Sequence, residues 1–408
     1  MLPFEEARTR VIEVLSERAN HPQTETIEMA NDPSAALGRI LAEDILADRN
    51  YPPFNRSIRD GFAVRAADAA TPGARLRVVG ESRAGVAFTG AVGNGECVRI
   101  LTGAAVPKGT NAVVMQEHTR ADADCIVLEH AVPVGQHYVL AGAEARVGEI
   151  VVARGARLGY AELAMVAQAG RAQLTVYRRL RVGILSTGDE LVDIDRVPDR
   201  FQIRNTNSIS LAAQTALAGG QAIQLGGAPD EPAQLRASIE RGLETDLVIT
   251  SGGVSVGKYD RVEGVLRDLG AEVFFDALAI RPGKPAVFSW CQGKPVFGLP
   301  GNPVSTMVTF ELLVAPAIDI LSGHTPGPLP FFKAKLGHPL DEKAGVAHFL
   351  PARVQWSNGN PTVDVQLWEG SGDIGAVVRA NCFLVVHPFR LHLEAGEWVD
   401  VFPRRGVF

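Results

Sequence analysis

Apolar positions recur with two different periods along this chain, and the change of period divides it. Phe4, Ala7, Val11, Val14 and Leu15 fall on one face of a helix predicted over residues 3–19. Residues 38–45 read as a second short helix or an extended piece. Tyr51-Pro52-Pro53-Phe54 is an extended connector, because each proline fixes its own φ and biases its predecessor away from the α region. From about residue 60 to 155, short β-prone runs at 76–79, 97–101, 112–115 and 126–128 alternate with Gly, Pro and Asn turns. That stretch is predicted to be a mostly β lobe, followed by a linking helix around 161–169.

From 180 to 322 the pattern becomes a strict alternation of strand and helix. Strands are expected at 182–186, 222–226, 247–250, 272–279, 286–290 and 295–299, and helices at 207–218, 232–243, 260–269 and 303–321. Such alternation implies a largely parallel sheet covered on both faces. Ser322-Gly323-His324-Thr325-Pro326-Gly327-Pro328 ends the last helix as a linker. The tail, with its period-2 run at 362–367, reads as a small all-β, barrel-like domain. The expected division is therefore 1–178, with the β lobe of about 50–145 inserted, then 179–323 as an α/β domain, then 324–408.

Composition narrows the class without naming a function. With 46% apolar and 21% charged residues the chain has a soluble globular profile. A net charge of −6 argues against general nucleic-acid binding. The four cysteines form no C-x-x-C pair, which fits a reducing compartment, and the nine histidines show no HExxH spacing. There is no apolar leader and no uninterrupted apolar run long enough for a spanning helix, so a cytoplasmic protein with no membrane partner is expected.

Candidate chemistry concentrates in three turns that each follow an apolar run: Ser186-Thr187-Gly188-Asp189-Glu190, Ser251-Gly252-Gly253-Val254-Ser255-Val256-Gly257 and Pro300-Gly301-Asn302-Pro303-Val304-Ser305. In an open α/β sheet such turns collect at the carboxyl edge, where ligands bind. Glycines there let backbone N–H groups approach a phosphate, and a following helix N-terminus favours the anion. Arg281-Pro282-Gly283-Lys284-Pro285 adds two cations on a stiff turn, suited to an oxyanion and equally readable as a solvated basic turn. Asp60-Gly61 and Leu101-Thr102-Gly103 read locally as plain turns. Carboxylates and a ligand phosphate about 4 Å apart repel by roughly 4 kcal/mol at an effective dielectric of 20, so their convergence requires a bridging cation such as Mg²⁺. Gly253 to Gly257 also matches G-x-S-x-G literally. The preceding Ser251-Gly252-Gly253 and a helix beginning only near Asp260 disfavour a nucleophile elbow there.

Taken in order, these motifs resemble the molybdopterin molybdenumtransferase family, the MoeA and gephyrin E-domain type, over essentially the whole chain. The marks are Gly38 to Asp44, Ser57-Ile58-Arg59-Asp60-Gly61-Phe62, Leu101 to Ala104 with Ala112 to Glu117, and the three turns above with Asp260. Pro282-Gly283-Lys284-Pro285, Gly370-Ser371-Gly372-Asp373 and Ala380-Asn381 complete the series. The resemblance implies insertion of molybdate into adenylylated molybdopterin with release of AMP, by a Mg²⁺-dependent homodimer with a shared cleft. It implies pathway partners as well: a molybdopterin adenylyltransferase upstream, and recipient molybdoenzymes or their chaperones downstream. The alternatives are the adenylyltransferase step itself, or a non-catalytic cofactor carrier or scaffold.

Residue roles follow from the same resemblance. It implies catalytic roles for Asp60, Glu144, Glu190, Asp230, Asp260 and Lys284, with Asp60, Glu190 and Asp260 as Mg²⁺ ligands. It implies that Thr102, Gly103, Ser251, Gly252, Gly253, Ser255, Arg281, Pro300, Asn302, Pro303 and Ser305, with Arg353 and Ser371 from the tail, line the pockets for pterin, nucleotide and molybdate. The chain departs from the family pattern at Glu144 and Asn205, where Asp is usual, at Val139, commonly Arg, and at Arg281, usually Lys.

Overall fold

The structure is a computed structural model that describes residues 1–20, 22–228, 231–253, 261–343 and 345–407. Asp230, Ser255 and Asp260 lie outside the described residues. The chain divides into two compact units: Met1–Ile27 with Gly38–Ala42 and Thr175–Phe408, and Glu28–Leu37 with Glu43–Leu174.

The larger unit is built on a six-stranded sheet. Its order is Gln221–Ala228, Arg181–Thr187, Leu247–Ser251, Lys294–Leu299, Pro285–Cys291, Glu272–Ala277. The first four strands run parallel, and Pro285–Cys291 runs antiparallel to both of its neighbours. The reversal comes from a two-residue hairpin, Gln292-Gly293. Both residues sit at positive φ (49° and 82°), as a hairpin turn matching strand twist requires. Leu247–Ser251 is buried at every position, the signature of a central parallel strand covered on both faces. Its period-2 geometry sends Leu247 and Ile249 into one core with Leu211, Val304 and Val308, and Val248 into the other with Leu235, Ile239 and Leu266.

Two further elements join the first of these cores. The helix Phe4–Arg18 buries Phe4, Ala7, Val11, Val14 and Leu15 there. The helical stretch Pro303–Leu321 contributes Val304, Val308 and Phe310 to Ile318, with a π-helical segment at Phe310–Val314. That stretch is long and apolar enough to cross a bilayer, but 78% of it is buried inside the protein, as a core helix is. Its one buried carboxylate, Glu311, accepts hydrogen bonds from Arg405 Nε and Gln214 Nε2, each at 2.9 Å.

In the tail, strands Phe332–Leu336, Ala347–Ser357, Asn360–Val365, Cys382–Val386 and Trp398–Pro403 close into a five-stranded barrel. Closure is possible because Ala347–Ser357 pairs with both Asn360–Val365 and Cys382–Val386. Its interior holds Ala334, Leu350, Val363, Leu384 and Val399, while Phe349, Phe383 and Phe402 face the α/β core. A short strand, Ile280–Arg281, pairs in parallel with Ala347 and His348 and so fixes the basic turn against the barrel.

The smaller unit contains a six-stranded sheet ordered Ala112–Met115, Gly61–Val64, Glu96–Ile100, Arg75–Ser82, Cys125–Leu128, Thr119–Asp122. Val64, Leu76, Cys97, Val114 and Ile126 pack on one face. Of the two readings for residues 38–45, the extended one holds. The nearby helix is instead Pro33–Ala36, capped by Asp32 accepting from Ser34 N at 3.0 Å.

Candidate functional site

Three parallel strands, Arg181–Thr187, Leu247–Ser251 and Lys294–Leu299, deliver their turns to one sheet edge, where a cavity of about 830 Å³ opens. Thr187, Gly188, Glu190, Ser251, Gly252, Gly253, Pro300, Asn302, Pro303 and Ser305 lie on its walls, so the three glycine turns do converge. The turn at Gly252 depends on the absent side chain. Its φ is +92°, and a Cβ there would lie 2.6 Å from the Thr187 carbonyl oxygen.

The turns are tied together by a residue the motif reading did not single out. Asn207 Nδ2 donates to Ser251 Oγ at 2.8 Å and to the Gly301 carbonyl at 2.7 Å. Ser251 Oγ and Thr306 Oγ1 in turn both donate to the Pro300 carbonyl. The available signal was an asparagine at a predicted helix start, where a cap is expected. The capping role falls instead to Asn205, whose Oδ1 accepts from Ser208 N at 3.1 Å and Ser186 Oγ at 3.0 Å. Asn in place of the usual Asp keeps that acceptor. Thr187 Oγ1 and Asn207 Oδ1 are buried without a partner among the described residues, two polar atoms beside the cavity.

A second cavity of about 990 Å³ adjoins the first. The two share Pro285, Asn302, Ser305 and Gly372. Arg281, Lys284 and Lys343 contribute to its lining together with Asp341, Glu342 and Glu369, and with Ser371, Trp368 and His348. Neither Arg281 nor Lys284 has a salt-bridge partner among the described residues, so both charges are available to an anion. Gly283 holds the turn at φ +117°, where a Cβ would come within 2.8 Å of Ile280 Cδ1 and 2.9 Å of Thr309 Cγ2. Ser371 stays close through its carbonyl, which accepts from Val304 N at 3.0 Å. Arg353 lies outside both linings, and its guanidinium donates to the Arg379 carbonyl.

In the smaller unit Asp60 and Thr102 come together. Asp60 Oδ1 accepts from Thr102 N at 2.6 Å and Thr102 Oγ1 at 2.7 Å. Those two donors, the backbone N–H first, hold the carboxyl below its ordinary range. Gly61 is required beside it, because a Cβ there would overlap the Val114 carbonyl oxygen of the neighbouring strand. Gly103 N donates to the Ser57 carbonyl at 2.9 Å, closing the same turn. Glu144 accepts from Arg56 at 2.9 Å and is thereby a paired, exposed carboxylate. No group of three His, Cys, Asp or Glu side chains among the described residues is placed to hold a metal.

Comparison with known proteins decides the family. Residues 2–170 match the family described as MoeA N-terminal region (domain I and II), 183–319 match the probable molybdopterin binding domain, and 333–403 match MoeA C-terminal region (domain IV). The chain is 37% identical to the molybdopterin molybdenumtransferase of Haemophilus influenzae, covering 99% of this chain and 98% of that one. It is 31% identical to that of Staphylococcus aureus, covering 98% and 95%. The chain belongs to the molybdopterin molybdenumtransferase (MoeA) family.

Solved structures agree with the assignment. The molybdopterin biosynthesis MoeA protein of Pyrococcus horikoshii superposes with a TM-score of 0.80 at 27% identity, covering 99% of this chain and all of that one. A second structure of a MoeA protein from that source gives 0.73 at 31% identity over 99% of each chain. Within this family frame the sheet-edge cavity is lined mainly by residues of the probable molybdopterin binding domain, with Gly372 and Ile374 from the C-terminal region, and the second cavity is lined by residues of both.

Proposed function

We propose that this chain inserts molybdenum into molybdopterin, taking adenylylated molybdopterin and molybdate and releasing the molybdenum cofactor and AMP. The observation that carries this reading is the pair of adjoining cavities. One is walled by glycine turns with backbone amides and two helix N-termini, suited to the pyrophosphate of a nucleotide-linked pterin. The other presents Arg281 and Lys284, suited to a tetrahedral oxyanion. Ser305 and Asn302, shared by both, stand where the two substrates would meet.

In this scheme the glycine turns orient the phosphoanhydride, and Lys284 and Arg281 hold molybdate beside the dithiolene. Cleavage of the phosphoanhydride is then coupled to metal insertion. A magnesium ion takes one or two carboxylates plus phosphate oxygens, and Glu190 is the described carboxylate on the sheet-edge cavity that would serve it. When bound, the ion would neutralise phosphate charge. Asp60, with its acceptor oxygen already fixed by Thr102, is assigned to the same reaction. The working form is proposed to be a cytoplasmic homodimer. It receives substrate from a molybdopterin adenylyltransferase and passes product to molybdoenzymes or their chaperones.

The test is to incubate the purified full chain with adenylylated molybdopterin, with and without molybdate and Mg²⁺. AMP is followed by chromatography, and cofactor by reconstitution of an apo-molybdoenzyme. AMP release together with active cofactor supports the assignment. Tight pterin binding with no AMP release would identify a carrier instead.

A further inference from the structure

Two aliphatic side chains stand paired on the wall of the sheet-edge cavity, and the phosphate chemistry proposed there does not use them. The lining has three branched aliphatic residues, Leu191, Ile203 and Ile374. The first two belong to a ribbon of two short parallel strands, Leu191–Val192 and Ile203–Arg204, that follows the first glycine turn. Leu191 and Ile203 are direct partners across the ribbon, so their side chains lie side by side on one face. The backbone holds the ribbon in place. Ile203 N donates to the Glu190 carbonyl and Asn205 N to the Val192 carbonyl, each at 2.9 Å. Arg204 Nε closes the intervening loop by donating to the Ile194 and Arg196 carbonyls at 3.1 and 3.0 Å. Pro198, from that loop, joins the same lining. Ile203 is nonetheless 57% exposed, an aliphatic side chain fixed at a cavity wall with much of its surface uncovered.

We propose that the face formed by Leu191 and Ile203 is the seat of the nucleobase, so that the adenine destined to leave in AMP lies flat on these two side chains. The inference rests on the reading that the glycine turns take the pyrophosphate, and it gives the direction in which the ligand runs. In adenylylated molybdopterin the pyrophosphate separates the adenosine from the dithiolene. With dithiolene and molybdate at the second cavity, reached past Asn302 and Ser305, the adenosine extends from the glycine turns away from that junction. Leu191 and Ile203 line the first cavity and not the second, in keeping with that order. A purine ring presents a flat, weakly hydrated face, and aliphatic contact removes that face from water.

The experiment is calorimetric titration of the full chain, with Mg²⁺ present, using AMP and using ribose 5-phosphate, which carries a hydroxyl in place of the base. The wild type is expected to bind AMP the more tightly. Ile203→Ser should weaken AMP binding about fivefold through the apolar contact removed, and leave ribose 5-phosphate binding unchanged. Ile203→Leu should keep AMP binding. Because Ile203 is exposed and its backbone bond is retained, both variants should fold, and an unchanged thermal midpoint checks this. Unchanged AMP affinity in Ile203→Ser, or an equal loss for both ligands, would overturn the proposal. A wild type that binds inorganic pyrophosphate but takes AMP no better than ribose 5-phosphate would overturn the base seat and leave the cavity reading standing. A wild type that binds none of the three would contradict the cavity reading itself.

Discussion

Asn207 and Ser251, forty-four residues apart, are joined by a 2.8 Å hydrogen bond that ties a helix start to a turn of the sheet edge. The same amide nitrogen reaches a second turn at the Gly301 carbonyl. One side chain thus ties two of the three turns to the start of the helix Asn207–Leu217. Replacing Asn207 with Ala leaves the buried Ser251 hydroxyl and the Gly301 carbonyl without that donor. The expected loss is about 1–3 kcal/mol in urea unfolding, with a raised KM for the pterin substrate. Unchanged stability and KM would show that the turns hold their shape without it.

Gly252→Ala tests the close approach of backbone at the same edge. The new methyl would sit 2.6 Å from the Thr187 carbonyl at a φ of +92°. Destabilisation of about 1–3 kcal/mol is expected by thermal unfolding, together with loss of pterin binding. A fully stable, binding-competent variant would contradict the description of this turn.

The Asp60 carboxylate offers a pH prediction whose sign follows from its partners. Two donors from Thr102 lower its proton affinity in the folded state, below the ordinary value of 3.8. Its contribution to stability is therefore present above that value and is lost as pH falls through the lowered folded midpoint. Thr102→Val removes the hydroxyl and keeps the N–H. In carbon-detected NMR the Asp60 midpoint should move up toward 3.8 without reaching it, and an unmoved midpoint would exclude the hydroxyl as a cause.

All four cysteines are free, and their environments predict an order of reactivity. Burial pushes the Cys97 and Cys382 thiols up to about 12 and raises Cys291 as well. Cys125 is only partly buried. Alkylation of the folded chain at neutral pH, mapped by mass spectrometry, should modify Cys125 first and leave the other three until unfolding. Early labelling of Cys97 or Cys382 would contradict the burial described.

Much of the fold is legible in the chain because parallel strands advertise themselves. Leu247–Ser251 is an apolar run bounded by turn residues, and the helices around it repeat every three to four positions. The antiparallel end of the sheet is less visible. It hinges on a two-residue loop in which Gln292, a residue with no strong turn preference, takes a left-handed conformation. The helix Phe4–Arg18 shows that it has an apolar face but not whose core receives it. Its burial beside Phe288 and Phe349 is a tertiary fact. Among site residues, the glycine turns are legible because close backbone approach demands glycine. Asn207 acts through partners 44 and 94 residues away, and its one local signal, an asparagine at a helix start, points to a cap instead. Asp60 is intermediate: a plain turn by local reasoning, and a fixed acceptor once Thr102 is folded against it.

The central claim is that an oxyanion and a nucleotide-linked pterin occupy two adjoining cavities of one unit. The most direct measurement is X-ray diffraction at the molybdenum absorption edge from crystals of the chain soaked in molybdate. The account predicts one anomalous peak in the cavity lined by Arg281 and Lys284, with its oxygens about 3 Å from the nitrogens of those two side chains. A strong molybdenum peak elsewhere, with that cavity empty at saturating molybdate, would contradict it.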